Sequence, residues 1–174
     1  MAATKELIKR IRLTTSAASI TFYNIPQDFD GLEIQMSFRS DAALTVADPY
    51  ISFNGSTSNF SGRRLFGNGS SASSDSTARF VFQTSGASST ASTFGSGKLY
   101  IPNYAGSTYK SFSSEGVSEN NATSAYQSIN AGLWSDVSAI TSVTFTLSSG
   151  NFVQYSSAAL YGWKKGSDGI TSVG

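Results

Sequence analysis

Hydrophobic and polar residues alternate along several short stretches of this chain, and the alternation predicts β-strands. In the clearest stretch, residues 32–39, charged or polar residues separate Leu32, Ile34, Met36 and Phe38. Because successive side chains of a strand point to opposite faces of a sheet, this pattern places one face in a core and the other in water.

The same period appears twice in residues 140–165. A first strand around Val143–Leu147 is followed by a Ser-Ser-Gly turn, and a second strand carries Tyr161 and Trp163 on one face and small or aliphatic residues on the other. We predict that the two strands form a β-hairpin. Because the second strand presents apolar side chains on both faces, a second sheet layer or a partner must cover its other side.

Shorter stretches predict further strands, separated by polar turns such as Asn54-Gly55 and Asn68-Gly69. About six to eight short strands with polar turns predict an all-β fold, an antiparallel β-sandwich or jelly roll. These additional strands are expected at Ile11–Phe22, Tyr50–Phe53, Phe80–Phe82, Leu99–Ile101 and Tyr104–Phe112.

Three segments do not follow the strand pattern. Residues 120–129 place apolar residues at helical spacing, so the fold has at most one short helix, and a loop crossing the sheet is an equal alternative. The serine-rich residues 69–76 and 84–97 predict loops without a core of their own.

Composition narrows the classes of partner. The chain has 174 residues, a formal charge of +1, no cysteine and no histidine. This length suits a single domain over residues 1–174, with an N-terminal arm over about residues 1–10 and a C-terminal tail over about residues 166–174. Nucleic-acid-binding proteins carry a strongly positive surface, which this low net charge does not provide, so no nucleic-acid partner is expected. No apolar run of about 18 residues occurs, so no membrane insertion is expected.

The absence of histidine and cysteine removes most of the side chains on which catalysis depends. Ser-His-Asp and Cys-His sites are excluded, together with histidine and cysteine metal sites. The close acid pairs Asp28/Asp30 and Glu115/Glu119 would suit a glycosidase, but both lie in polar, turn-like sequence and are interpreted as solvated or capping residues. We therefore expect no enzyme activity, no catalytic residue, no cofactor and no metal.

The aromatic residues leave three interpretations open. They are core packing, a subunit interface, and a platform on which sugars stack. Core or interface is favoured over carbohydrate binding, because aromatic residues are normal in interiors and interfaces. The residues concerned are Tyr100, Tyr104, Tyr109, Tyr155, Tyr161 and Trp163.

Several short motifs distributed over most of the chain point to a family. They are Ile20-Thr21-Phe22 before Ile25-Pro26, Ile101-Pro102-Asn103-Tyr104, Asn120-Asn121-Ala122, Ala131-Gly132-Leu133-Trp134, Ala139-Ile140-Thr141-Ser142 and Ala159-Leu160-Tyr161-Gly162. With these motifs the chain resembles small structural proteins encoded in the virion modules of tailed bacteriophages, including marine and cyanobacterial phages. The resemblance rests on structural residues and carries no catalytic motif.

The resemblance implies a disulfide-free jelly roll that binds proteins or glycans, assembles in the host cytoplasm and resides in the virion. The first expectation is a capsid decoration or cement protein, a homo-oligomer with a trimer as the first guess, that binds the major capsid protein. Its expected contact residues are Arg10, Arg12, Tyr161, Trp163, Lys164 and Lys165.

The alternative is a tail or tail-fibre component whose sandwich binds host-surface carbohydrate, and a glycan-cleaving depolymerase is the least favoured role. An exposed groove with polar neighbours that contains Tyr104, Tyr109 or Trp134 would favour sugar binding. A broad, flat apolar surface would favour assembly.

Overall fold

A computed structural model of the protein describes residues 5–122 and 125–164. The described residues form thirteen strands and no helix, and the pairings between these strands are antiparallel, which confirms the expected all-β fold. None of them forms a helix long and apolar enough to cross a membrane. The strands are β1 (Lys5–Arg12), β2 (Ser19–Phe22), β3 (Gly31–Phe38), β4 (Val46–Ala47), β5 (Pro49–Phe53), β6 (Phe60–Gly67), β7 (Ala72–Ser76), β8 (Thr84–Ser85), β9 (Gly95–Pro102), β10 (Lys110–Glu119), β11 (Ala125–Trp134), β12 (Val143–Leu147) and β13 (Ser157–Trp163).

The strands form two main layers. Eight of them make a large sheet in the order β1-β13-β3-β9-β10-β11-β6-β7, and three make a smaller sheet in the order β2-β12-β5. Strands β4 and β8 form a separate pair.

The hydrophobic core lies between the two sheets. Phe38 of the large sheet contacts Phe145 of the small sheet, with ring centroids 5.7 Å apart. Phe53 of the small sheet contacts Phe112 and Trp134 of the large sheet at 5.7 and 5.5 Å. Such face-to-face packing of two antiparallel sheets is a β-sandwich, as the sequence predicts.

The predicted hairpin in residues 140–165 is wrong. Strand β12 lies in the small sheet between β2 and β5, whereas β13 lies in the large sheet between β1 and β3. The intervening segment crosses from one layer to the other, and Phe152 within it is buried against Phe38. The chain itself therefore covers the face of β13 that carries the buried residues Ala158 and Leu160, whereas Tyr161 and Trp163 on the other face are only half-buried.

Residues 80–82 do not form the regular strand that the sequence predicts. The segment lies beside β5, where the Val81 N–H donates to the Pro49 carbonyl at 3.0 Å and Phe80 makes an isolated bridge with Tyr50. Val81 and Gln83 are buried as well as Phe80 and Phe82, so the predicted alternation of buried and exposed side chains is absent.

Strands β10 and β11 replace the strand predicted at Tyr104–Phe112 and the short helix considered at 120–129. Residues 103–108 form a turn, and β10 begins only at Lys110. A Cβ atom at Gly116 would lie 2.5 Å from the Cβ of Phe82, so β10 needs a glycine where this ring packs on it.

The expected N-terminal arm is wrong for residues 5–10, which belong to β1 and pair with β13. Residues 1–4 and the expected tail over about residues 166–174 lie outside the described residues.

One serine-rich loop is organised by a buried cation. The Arg39 guanidinium donates to the carbonyls of Ser89, Thr90 and Thr93 at 3.2, 2.9 and 2.7 Å, and to the Thr93 hydroxyl at 2.9 Å. Burial lowers the pKa of this guanidinium. The loop thus relies on hydrogen bonds to this arginine, and on backbone hydrogen bonds from residues 86–88 to residues 42–45, rather than on an apolar core of its own.

Candidate ligand-binding groove

The outer face of the large sheet, opposite the core, carries an open groove of about 850 Å³. A cross-strand row runs along it, in which Glu33 pairs with Tyr100, Tyr100 with Ser113, Ser113 with Ala131 and Ala131 with Arg63. Ser113 and Ala131 have small side chains, so they form a low floor between the larger side chains of Tyr100 and Arg63. Side chains lining the groove include Glu33, Arg63, Leu65, Lys98, Tyr100, Glu115, Ile129 and Trp163.

Two aromatic residues form one end of the groove. Trp163 lies beside Gly31 in the sheet, and a Cβ atom at Gly31 would lie 3.3 Å from the Tyr100 ring. Tyr100 and Trp163 also line a second cavity of about 440 Å³, so they form a ridge between the two cavities. The bare backbone at Gly31 allows the tyrosine ring to lie across β3.

Lys5 and Glu33 form an ion pair beside this ridge. The ammonium lies 2.6 Å from the Glu33 carboxylate and over the rings of Tyr161 and Trp163, at 4.5 and 5.2 Å from their centroids. Burial alone would raise the pKa of Glu33, but hydrogen bonds from Lys5 and Gln35 and the charges of Lys5 and Lys98 together lower it. The carboxylate is therefore ionised at neutral pH and fixes the position of Lys5 over the rings.

The remaining charges lie along the groove. Lys98 pairs with Glu115 at 3.3 Å. Arg64, by contrast, points to the opposite face of the sheet, where it stacks on Phe80 at 4.5 Å and makes two hydrogen bonds of 2.8 Å to Asp75. Arg63 is exposed and, among the described residues, its guanidinium donates only to the carbonyl of its neighbour Gly62, at 2.9 Å.

Exposed apolar side chains also concentrate on this face. The strand register places five of them on it, where each is at least 40% exposed. A single exposed apolar residue needs no explanation, but several on one sheet face indicate a contact surface. They are Leu7, Leu65, Tyr100, Val117 and Ile129.

The structure does not place the predicted sugar-stacking residues in this groove. Tyr104 is fully buried and donates its hydroxyl to the Pro26 carbonyl, and Trp134 is buried against Phe53 and Phe60. Neither ring can meet a ligand, so both assignments are wrong. Tyr109 is exposed but lies just before β10, outside the groove lining.

The expected partner-binding residues lie on and around the same sheet. Tyr161 and Trp163 are half-buried on its outer face, and Arg12 at the end of β1 stacks on Tyr155 at 5.0 Å. Arg10 is exposed on β1 opposite Ala159. Lys164 lies 3.4 Å from Asp28 and 4.0 Å from Glu6. Lys165 lies outside the described residues.

Sequence reasoning missed Arg63, Lys98 and Ser113 as residues that share the groove with Tyr100. Alternation along β9 would have placed Lys98 and Tyr100 on one face, but only the strand order puts β10 beside β9 and β6 three strands away on the same sheet. That order involves pairs distant in sequence, which the hydrophobic pattern does not specify.

The acid pairs do not converge in the groove. Glu115 pairs with Lys98, whereas the Glu119 carboxylate accepts the Asn121 N–H at 2.6 Å. The described residues contain no group of three or more histidine, cysteine, aspartate or glutamate side chains arranged to hold a metal. The groove offers aromatic surface, hydrogen-bonding groups and one cation, Arg63, that has no ion-pair partner among the described residues, and this combination suits binding.

Comparison with known proteins found no matching family model, no matching curated protein and no matching solved structure.

Proposed function

We propose that this protein is a noncatalytic structural protein of a tailed-bacteriophage virion, a tail or tail-fibre component that binds carbohydrate of the host surface through the groove of its large sheet. The phage setting rests on the sequence motifs that resemble virion-module proteins. The carbohydrate ligand rests on the groove.

The single observation that carries the proposal is the composition of this groove. It combines the exposed ring of Tyr100 with charged groups on a floor of small residues. Sugars present apolar C–H faces and many hydroxyls, so they are bound by an aromatic ring beside hydrogen-bonding side chains. An extended open groove fits a chain of sugars better than an enclosed pocket does.

A glycan array tests the proposal. Wild-type protein should bind at least one class of oligosaccharide, and Tyr100→Ala should weaken that binding by roughly tenfold, because a stacked ring contributes about 1 kcal/mol or more. Tyr23→Ala is the matched control, since this tyrosine is exposed in the segment after β2 and outside the groove lining. Binding to no glycan, or equal losses in the two variants, would contradict the proposal.

The second candidate is a capsid decoration or cement protein, which would be a homo-oligomer on the major capsid protein. The exposed aliphatic side chains Leu7, Leu65, Val117 and Ile129 favour it, because aliphatic groups gain more from a protein partner than from a sugar. In that case Leu65→Ser and Ile129→Ser should release the protein from purified particles, whereas Tyr100→Ala should leave it attached.

A further inference from the structure

We propose that the groove selects an acidic oligosaccharide, with a sugar carboxylate bound by Arg63 and a sugar ring stacked on Tyr100. This inference rests on the proposed carbohydrate-binding function and names the class of sugar.

The charge distribution in the groove points to an anion at one position. The charged side chains of Glu33, Lys98 and Glu115 line the groove, and each has an ion-pair partner. Arg63 is the lining charge without one among the described residues. Since the other charges are compensated, an anionic ligand would be attracted to the β6 end of the groove.

The strand register fixes the distance between Arg63, which would bind the anion, and Tyr100, on which a sugar ring would stack. Tyr100 and Arg63 occupy the same cross-strand row, with Ser113 and Ala131 between them. Three strand spacings correspond to about 14 Å, which is longer than one sugar ring. The small residues between leave room for the intervening units. The ligand is therefore an oligosaccharide rather than a monosaccharide.

The chemistry of arginine favours a carboxylate as the anion. A guanidinium has five N–H donors in a planar fork that matches the two oxygens of a carboxylate. Only Nη1 of Arg63 donates within the described residues, and it does so to the adjacent Gly62 carbonyl. The remaining donors can bind the carboxylate of a uronic or sialic acid.

The test is titration of the full chain with a panel of carboxylated oligosaccharides, namely galacturonate, mannuronate and guluronate oligomers and sialyllactose. Each is compared with its own methyl ester, which keeps the sugar and removes the charge. Wild-type protein should bind at least one free acid roughly tenfold more tightly than its ester, as expected for a charge-assisted hydrogen bond. The preference should weaken as salt increases.

Two substitutions separate the contribution of the carboxylate contact from that of the stacked sugar ring. Arg63→Gln should remove the preference for the free acid while leaving the weaker binding of the ester, and Tyr100→Ala should weaken both by the same factor. Lys9→Gln is the control, because Lys9 is an exposed cation on β1 outside the groove lining. Circular dichroism of each variant verifies that the fold is retained.

The outcomes are distinct. Equal binding of acid and ester, or a preference that survives Arg63→Gln, overturns the inference but leaves carbohydrate binding intact. If no sugar in this panel or on the glycan array binds, whereas an acidic peptide does, the groove is a protein-docking surface and both proposals fail.

Discussion

At the scale of single residues, this fold depends on glycines that admit aromatic rings into the core. Gly97 and Gly116 face Phe82 from adjacent strands of the large sheet, and a Cβ atom at either position would overlap that ring. Phe82 therefore packs directly on backbone. A sequence pattern that counts only hydrophobic side chains does not detect such positions.

Gly116→Ala should destabilise the protein by about 1–3 kcal/mol, because the new methyl group cannot be accommodated without moving Phe82. Urea denaturation measures the change. Gly67→Ala is the matched control in the same sheet, where the nearest atom to the added Cβ, the Ser71 carbonyl oxygen, is 3.6 Å away. Equal effects of the two substitutions would contradict the packing account.

Asp48 carries an unfavourable charge in the folded state. Burial, with a smaller contribution from Asp75, raises its pKa above the ordinary value of 3.8, and Arg64 compensates only in part. The folded protein therefore binds the proton more tightly than the unfolded chain, so the free energy of unfolding decreases as the pH rises from 3.8 through the folded pKa.

Asp48→Asn should accordingly stabilise the protein at pH 7, and the gain should shrink as the pH falls towards 3.8. Thermal or urea unfolding at several pH values measures it. Glu115→Gln, at an exposed ion pair, should change stability by less than about 1 kcal/mol throughout. A gain from Asp48→Asn that grows on acidification would show that the sign is wrong.

At the scale of elements, strands with apolar inward positions were predictable and strands with polar inward positions were not. The alternation in β3 gave its bounds almost completely. Strand β10 faces inward with Lys110, Phe112, Ser114, Gly116 and Ser118, and because Phe112 is the one large apolar residue among these five, the strand has no hydrophobic period to detect. The hairpin prediction failed for another reason. An alternation of hydrophobic and polar residues predicts a strand but does not predict which strand pairs with it.

The same limit applies to the candidate site. Tyr161 and Trp163 were correctly assigned to one face of a strand, because a strand's two faces follow from the sequence alone. The exposure of Tyr104 and Trp134 depends on what covers them, and residue type does not determine that. The sequence therefore predicts the end of the groove at Trp163 but not the opposite end at Arg63.

The loop around Arg39 provides a prediction at the element scale. Arg39→Met removes the donors to Ser89, Thr90 and Thr93, so residues 86–94 should open more often while the sheets remain folded. Hydrogen exchange should accelerate roughly tenfold or more at the amides of Gly86 and Ala87, which donate to Thr45 and Ala42.

Arg63→Met is the matched control for this loop, since within the described part of the chain its guanidinium donates only to the neighbouring Gly62 carbonyl. It should leave exchange in residues 86–94 unchanged. Identical exchange in wild type and Arg39→Met would mean that the loop is held by other contacts.

At the scale of the whole molecule, the large sheet presents its outer face rather than its edges for contact. The edge strand β1 carries four basic residues and a bulge between Leu7 and Lys9, and the opposite edge strand β7 is short, polar and exposed. Both features hinder the addition of a further strand. The exposed apolar residues and the groove lie on the face between these edges.

The measurement that tests this account most directly is the orientation of the chain in a purified phage particle, determined by cryo-electron microscopy. The account predicts copies in the tail or its fibres, with the groove between Tyr100 and Arg63 open to solvent and facing away from the particle. Copies on the head with this groove covered by a capsid subunit, or absence of the chain from the particle, would contradict it.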